Sequence, residues 1–291
     1  MLTRRIGTAD VSAIGLGAMP LSIEGRPDRA SAIATVHAAL DAGITLIDTA
    51  DSYHWQAGER GHNEALLAQA LATWPGGGSG VLIATKGGRT RPGDGSWTVN
   101  GGPGHIRRAC EGSLRRLGVE AIGLYQLHKP DPAVPWSDSV GALRDLLDAG
   151  LVRAAGISNV TCDQIHEARA ILGDSLVSVQ NRYNPQHRDS LPELRLCDRL
   201  GIAFLPWSPL GGIARSSLDG PGDTSPRTPF HAVAEERGTT PQQICLAWHL
   251  SHSRHVIPIP GATRPESARS SAQAASLTLT REELDRLDNA G

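Results

Sequence analysis

GVLIATK (Gly80–Lys86), followed beyond a glycine-rich loop by GHIRRACEGSLRRLG (Gly104–Gly118), is the stretch whose reading decides the fold. The first segment is short and apolar and ends on a cation, the pattern of a strand buried on both faces. The second places Ile106, Ala109, Cys110, Ser113, Leu114 and Leu117 on one face of a 3.6-residue period. The same pairing recurs outward in both directions. ITLIDTA precedes HNEALLAQALATW, AIGLYQLH precedes DSVGALRDLLDAG, VRAAGISN precedes TCDQIHEARAILG, and LVSVQNRY precedes LPELRLCDRLG. IAFLPWS and HVIPIPG each lead into further amphipathic segments, and AIGLGAMP leads into DRASAIATVHAALDAG. Asp28 and Thr161 suit helix starts, Pro241 a first helical turn, and Gly43, Gly118, Gly150 and Gly201 helix ends.

Eight such units in 291 residues predict an α/β fold, a (β/α)8 TIM barrel, as one domain over residues 1–291. TRRIG and VSAIG, separated by TAD, predict an N-terminal β-hairpin before it. The competing architecture is an open doubly wound sheet, but GLGAM has only the first two glycines of a dinucleotide fingerprint. Pro75–Gly80, Gly93–Gly104 and Ser216–Pro229 read as mobile loops, the last two long enough to border an active site.

Hydrophobic residues make up 40% and charged residues 20%, a soluble globular composition. A formal charge of −2 with no basic run gives no general attraction to nucleic acid or to an anionic membrane, and no apolar run is long enough to span one. The N-terminus has no continuous apolar stretch of the signal-peptide kind. Cys110, Cys162, Cys197 and Cys245 are widely spaced with no Cys-x-x-Cys pair, so small core residues in a reducing, cytoplasmic setting are expected.

In a barrel the reactive groups stand at the carboxyl ends of strands. Those ends bear Asp48, Lys86, His128, Ser158–Asn159, Gln180 and Trp207–Ser208, and Tyr53 follows Asp48 by five residues. Singly, such an Asp caps a turn, such a Lys is solvated and such a Tyr packs. Together they form a system: Asp48 holds the Lys86 ammonium, and that charge favours phenolate at Tyr53 and draws its pKa down from about 10. The phenol then donates a proton to a developing alkoxide, and His128 gives the same oxygen a second hydrogen bond. Nothing in the set supplies electrons, so an external nicotinamide hydride donor is expected.

GLGAM, GITLIDTADSY with NEALLAQAL, IATKGG, GSLRRLGVEAIGLYQLH, GLVRAAGISN, VQNRYN, PWSPLGG and IPIPGATRPES, in this order, resemble the aldo-keto reductase family along nearly the whole chain. The resemblance implies Asp48, Tyr53, Lys86 and His128 as the catalytic four, the set already reached from the residues. It implies Ser158, Asn159 and Gln180 at the nicotinamide carboxamide, with Asp48 beside them, and Trp207 in place of the usual stacking Tyr. It also implies Ser208, Leu210 and Gly212 along the pyrophosphate, and Gly17 and Met19 bordering the nicotinamide. The family's basic residues at the adenosine end are missing. Arg264, and Arg269 behind it, are the cations available to a 2′-phosphate, so NADPH is expected. Trp55, Trp97 and His54 are candidates for the substrate pocket.

SNVTCDQ, VQNRYNPQHR and PGATRP resemble the bacterial branch that includes pyridoxal reductases, which makes pyridoxal, or a broad range of aldehydes, the expected carbonyl substrate. Three other chemistries compete. A Schiff-base lysine needs a neutral amine, which Asp48 opposes. A metal hydrolase needs closely spaced His ligands, which no strand end offers, so no metal is expected. A non-enzymatic NADPH-binding redox sensor of the same fold would carry the same four residues without turnover.

Overall fold

A computed structural model describes residues 1–211, 213 and 227–289. The chain begins with β1 (Thr3–Ile6) and β2 (Ala9–Ser12), paired antiparallel as the predicted hairpin. Next come β3 (Leu16–Gly17), α1 (Arg29–Asp41), β4 (Leu46–Asp48), α2 (His62–Thr73) and β5 (Leu82–Gly87). A small antiparallel ribbon follows, β6 (Arg89–Thr90) with β7 (Thr98–Val99), and then α3 (Pro103–Leu117), β8 (Leu124–Leu127), α4 (Trp136–Asp148), β9 (Ala155–Ser158) and α5 (Cys162–Leu172). The remainder is β10 (Leu176–Gln180), α6 (Leu191–Leu200), β11 (Ala203–Phe204), α7 (Pro229–Arg237), α8 (Pro241–His252), α9 (Pro265–Gln273) and α10 (Arg281–Asp288).

Local chemistry sets these boundaries. α3 starts on Pro103 and stops at Gly118, whose φ of 68° closes the helix in a conformation that a side chain would disfavour. Its buried positions include Ile106, Ala109, Cys110 and Ser113, the face read from the sequence. Thr161 and Gln164 form a reciprocal capping box at the start of α5. All four cysteines lie in helices and are free thiols. Among the described residues no helix is long and apolar enough to cross a membrane.

Seven strands form one parallel sheet in the order β11-β10-β9-β8-β5-β4-β3. Segment 255–261, expected as a regular strand, hydrogen-bonds to both edges of this sheet. Ile257 and Ile259 donate to the Phe204 and Pro206 carbonyls, while the Pro258 and Pro260 carbonyls accept from Gly15 and Gly17. Proline carries no N–H, so Pro258 and Pro260 can give nothing to β3 in return. Toward β3 these two prolines only accept, whereas on the β11 side the exchange runs both ways, since the Phe204 N–H also donates to the His255 carbonyl at 2.8 Å; the segment forms the isolated bridges Phe204–Val256 and Gly17–Gly261.

Alternation along the strands sorts the side chains into two sets. Tyr125 and Leu127 face the helices in the largest apolar cluster, together with residues such as Ile106, Val140 and Trp248. Leu46, Ala84 and Leu124 belong to a separate cluster inside the curled sheet, which Ile6 and Val11 of the hairpin cover. Two residues further along the same strands stand Asp48, Lys86 and Gln126. The interior is therefore apolar where the strands begin and polar where they end, and the polar end carries the candidate site. The Gly93–Gly104 stretch, expected as a mobile loop, contains β7 and places Trp97 over that end. Most of Ser216–Pro229 lies outside the described residues.

Candidate active site

Lys86 is fully buried and donates three hydrogen bonds: to Asp48 Oδ1 at 2.6 Å, the Thr49 carbonyl at 2.9 Å and the Tyr53 hydroxyl at 2.9 Å. Every N–H of the ammonium is used. Asp48 is held from behind, its Oδ2 accepting from Gln180 Nε2 at 2.8 Å and from Gln126 Nε2 at 3.4 Å. Ser178 in turn donates to Gln126 Oε1 at 3.1 Å. The His128 ring meets the Tyr53 ring edge-on, with centroids 5.6 Å apart. The four residues singled out from the sequence therefore converge at the floor of one cleft of about 1150 Å³, where Asp48, Tyr53 and His128 reach the surface of the cavity.

The electrostatics differ from the sequence-based expectation in one respect. Burial raises the Tyr53 pKa, and the nearby Lys86 charge only partly offsets it, so the phenol stays above its ordinary 10 instead of descending from it. The expected lowering counted the cation and omitted the cost of placing phenolate in a dry pocket. Burial also works against the Lys86 ammonium, but Asp48 and the Tyr53 oxygen together outweigh it and the pKa moves up. Burial, reinforced by Lys86 and Arg89, holds His128 well below the usual imidazole range, so the ring is neutral at neutral pH. Its Nδ1 is buried without a partner, which leaves Nε2 as the nitrogen on the cavity side.

The rest of the cleft gathers most of the other predicted residues. Gly17, Met19, Ser158, Asn159, Gln180, Trp207, Ser208, Leu210 and Arg264 all line it. Asn159 Nδ2 donates to the His128 carbonyl at 2.9 Å and to Ser158 Oγ at 3.0 Å, and its Oδ1 accepts from Trp207 Nε1 at 3.2 Å. Asn159 and Ser208 both adopt positive φ, 60° and 48°. Gln180 donates from Nε2 to Asp48, and its main-chain carbonyl accepts from Ser158 Oγ at 2.6 Å. At the far end, α9 begins after Arg264 with no side-chain cap, so its first-turn N–H groups, Arg264 and Ser267 form a donor set suited to phosphate. These residues fit a nicotinamide dinucleotide. Gly212 lies outside the described residues, and Arg269 does not line the cleft.

Of the three predicted substrate-pocket residues only Trp97 lines the cavity, 6.4 Å from the Tyr53 ring. His54 turns inward beside the loop, with Nδ1 2.9 Å from the Gln56 carbonyl. Trp55 is 40% exposed, with the Arg26 guanidinium 5.9 Å from its ring. Both follow Tyr53 in a bend, where neighbouring side chains diverge and need not share a cavity. Sequence reasoning passed over Gln126, Arg89 and Glu24. Gln126 was within reach of it, because it stands two residues after Leu124 and two before His128 on one strand face. Arg89 and Glu24 lie on connections whose course only the tertiary structure reveals. Among the described residues no group of three His, Cys, Asp or Glu side chains is placed to hold a metal ion.

The model of the aldo/keto reductase family matches residues 13–291. An uncharacterised oxidoreductase of Schizosaccharomyces pombe is 36% identical over 99% of this chain and 90% of its own length. The 6-dehydroglucose reductase of Novosphingobium aromaticivorans is 34% identical over 94% of this chain and 89% of its own. Among solved structures, an aldo/keto reductase from Klebsiella pneumoniae in complex with NADP and acetate superposes with a TM-score of 0.80 at 29% identity, covering 99% of this chain and 94% of that one.

Proposed function

The chain belongs to the aldo/keto reductase family of oxidoreductases, and from that premise we propose that it reduces an aldehyde or ketone to an alcohol with NADPH, Tyr53 being the proton donor. The observation that carries this reading is the Lys86 ammonium bonded at once to Asp48, Thr49 and the Tyr53 hydroxyl on the floor of the cleft. Because the phenol oxygen accepts from Lys86, its own hydrogen is free to point at a substrate oxygen. As that proton leaves, negative charge grows on an oxygen 2.9 Å from a fixed cation, whose own charge Asp48 secures. His128, neutral, donates from Nε2 to the same substrate oxygen. NADPH, when bound, supplies the hydride.

Ser158, Asn159 and Gln180 would hold the carboxamide, and Trp207 would lie against the ring. Ser208, Leu210 and Gly212 would follow the pyrophosphate, and Arg264 with the start of α9 would take the 2′-phosphate. The relative crystallised with NADP supports the choice of cofactor. In the same reading the curled sheet is a single-domain (β/α)8 barrel in which 255–261 serves as the eighth strand, since it bonds to both edges. Four free thiols suit a cytoplasmic enzyme.

Following NADPH absorbance over a panel of aldehydes that includes 4-nitrobenzaldehyde, pyridoxal and sugar aldehydes tests the proposal. Wild type should turn over, and Tyr53→Phe should lose roughly 10²- to 10⁴-fold in kcat while still binding NADPH. A Tyr53→Phe variant that keeps most of the rate would remove the phenol from its role. Binding of NADPH with no turnover of any carbonyl would favour a redox sensor.

A further inference from the structure

Resting on the carbonyl-reductase reading, we infer that Arg89 is a specificity-determining residue, and that the preferred substrate carries an anionic group, carboxylate or phosphate ester, a few bonds from its carbonyl. Arg89 lines the same cavity as Tyr53 and His128. It leaves the sheet three residues after Lys86, on β6, and its guanidinium lies 4.5 Å from the centre of the Trp97 indole. That indole packs edge-on against Tyr53, so the cation and the proton donor share one aromatic wall.

Charges around this wall are unevenly matched. The Arg91 guanidinium is also 4.5 Å from Trp97, but it pairs with Glu24 and with the His54 carbonyl. Asp48 is committed to Lys86. Arg89 has no carboxylate partner among the described residues, although it is half-buried; burial works against its charge, Tyr53 only partly offsets this, and Arg91 adds to it. A guanidinium kept partly dry without a counter-ion is costly, and a bound carboxylate or phosphate supplies that counter-ion bidentately. Lysine in its place would lose the fork and the stack on Trp97. Glu24, which also lines the cavity, is neutralised by Arg91 and leaves the net positive charge of the wall to Arg89.

Three aldehyde pairs test this, each matching an anion with a neutral counterpart. They are 4-carboxybenzaldehyde with 4-methylbenzaldehyde, succinic semialdehyde with butanal, and pyridoxal 5′-phosphate with pyridoxal. The first two pairs report on carboxylate and the third on phosphate. Wild type should favour the anionic member of at least one pair by roughly tenfold or more in kcat/KM. Arg89→Gln should lower that value roughly 10- to 100-fold while leaving the neutral member within about threefold, and Arg89→Lys should recover part of the loss.

The idea is overturned if Arg89→Gln leaves the ratios unchanged. It is equally overturned if both members of every pair fall together, which is a packing role for the Trp97 stack, or if only the KM for NADPH rises, which is a cofactor contact. Should wild type reduce no aldehyde at all, the reductase reading fails separately. Dissociation constants of 4-carboxybenzaldehyde and 4-methylbenzaldehyde, read from tryptophan fluorescence with NADP⁺ present, then decide Arg89. A selective loss of the carboxylate in Arg89→Gln upholds it, and no difference between the proteins sinks it.

Discussion

At Lys86, three donors meet three acceptors, so the ammonium can neither turn toward a substrate carbonyl nor lose its charge without breaking the set. This geometry argues against imine chemistry at Lys86 more directly than charge alone. It also sets the pH behaviour. His128 is held neutral and Tyr53 is held protonated, so kcat for reduction should show no inflection near pH 6.5 and should fall only above about pH 10; a pH–rate profile with a neutral aldehyde checks this. A second titration belongs to stability. Burial raises Asp51 from its ordinary 3.8 to about 7, against the pull of Arg60, and its Oδ1 has no partner. A carboxyl with a raised folded pKa keeps a proton that the unfolded chain releases, so its contribution is full below about 3.8 and is lost as pH rises through 7. Asp51→Asn, which stays uncharged, should therefore gain stability relative to wild type between pH 5 and pH 8. Urea midpoints should show a gain of roughly 1–3 kcal/mol.

Elements were legible in the sequence to the degree that local chemistry defines them. The helices carry their punctuation in side chains, and α5 shows it: Thr161→Ala removes one half of a formed capping box and should cost about 1 kcal/mol in chemical denaturation. The seam between β3 and 255–261 was not legible as it stands. HVIPIPG reads as a strand, and only its neighbours reveal that its prolines accept from β3 without donating in return. The ribbon of β6 and β7 was hidden for a related reason, since two-residue strands among glycines carry no periodicity. A test of the seam is Gly17→Ala. Its added Cβ would meet the Ile259 carbonyl oxygen at 2.7 Å, so the backbone must shift where it borders the cleft. Stability should fall by roughly 1–3 kcal/mol, and the dissociation constant for NADPH should rise in parallel.

Across the whole molecule, stability and chemistry occupy opposite ends of the same strands. The hairpin residues Ile6 and Val11 cover the apolar interior, and Arg4 ties the hairpin to the carbonyls of Leu250, Ser253 and Val256 at the end of α8. Ile6→Ala should lower unfolding free energy by roughly 2–5 kcal/mol while leaving kcat unchanged at temperatures where the protein stays folded. The convergence of Asp48, Tyr53, Lys86 and His128 could be read from sequence because each stands at or just beyond a strand end. The pocket walls could not, because Arg89, Glu24 and Trp97 arrive from separate connections. The proline-interrupted seam also leaves an isotopic signature. The amides of Gly15 and Gly17 report its β3 side, and those of Phe204, Ile257 and Ile259 the other. Deuterium uptake at these five protons would therefore time the opening of the seam, and a dinucleotide seated along it would slow all five together.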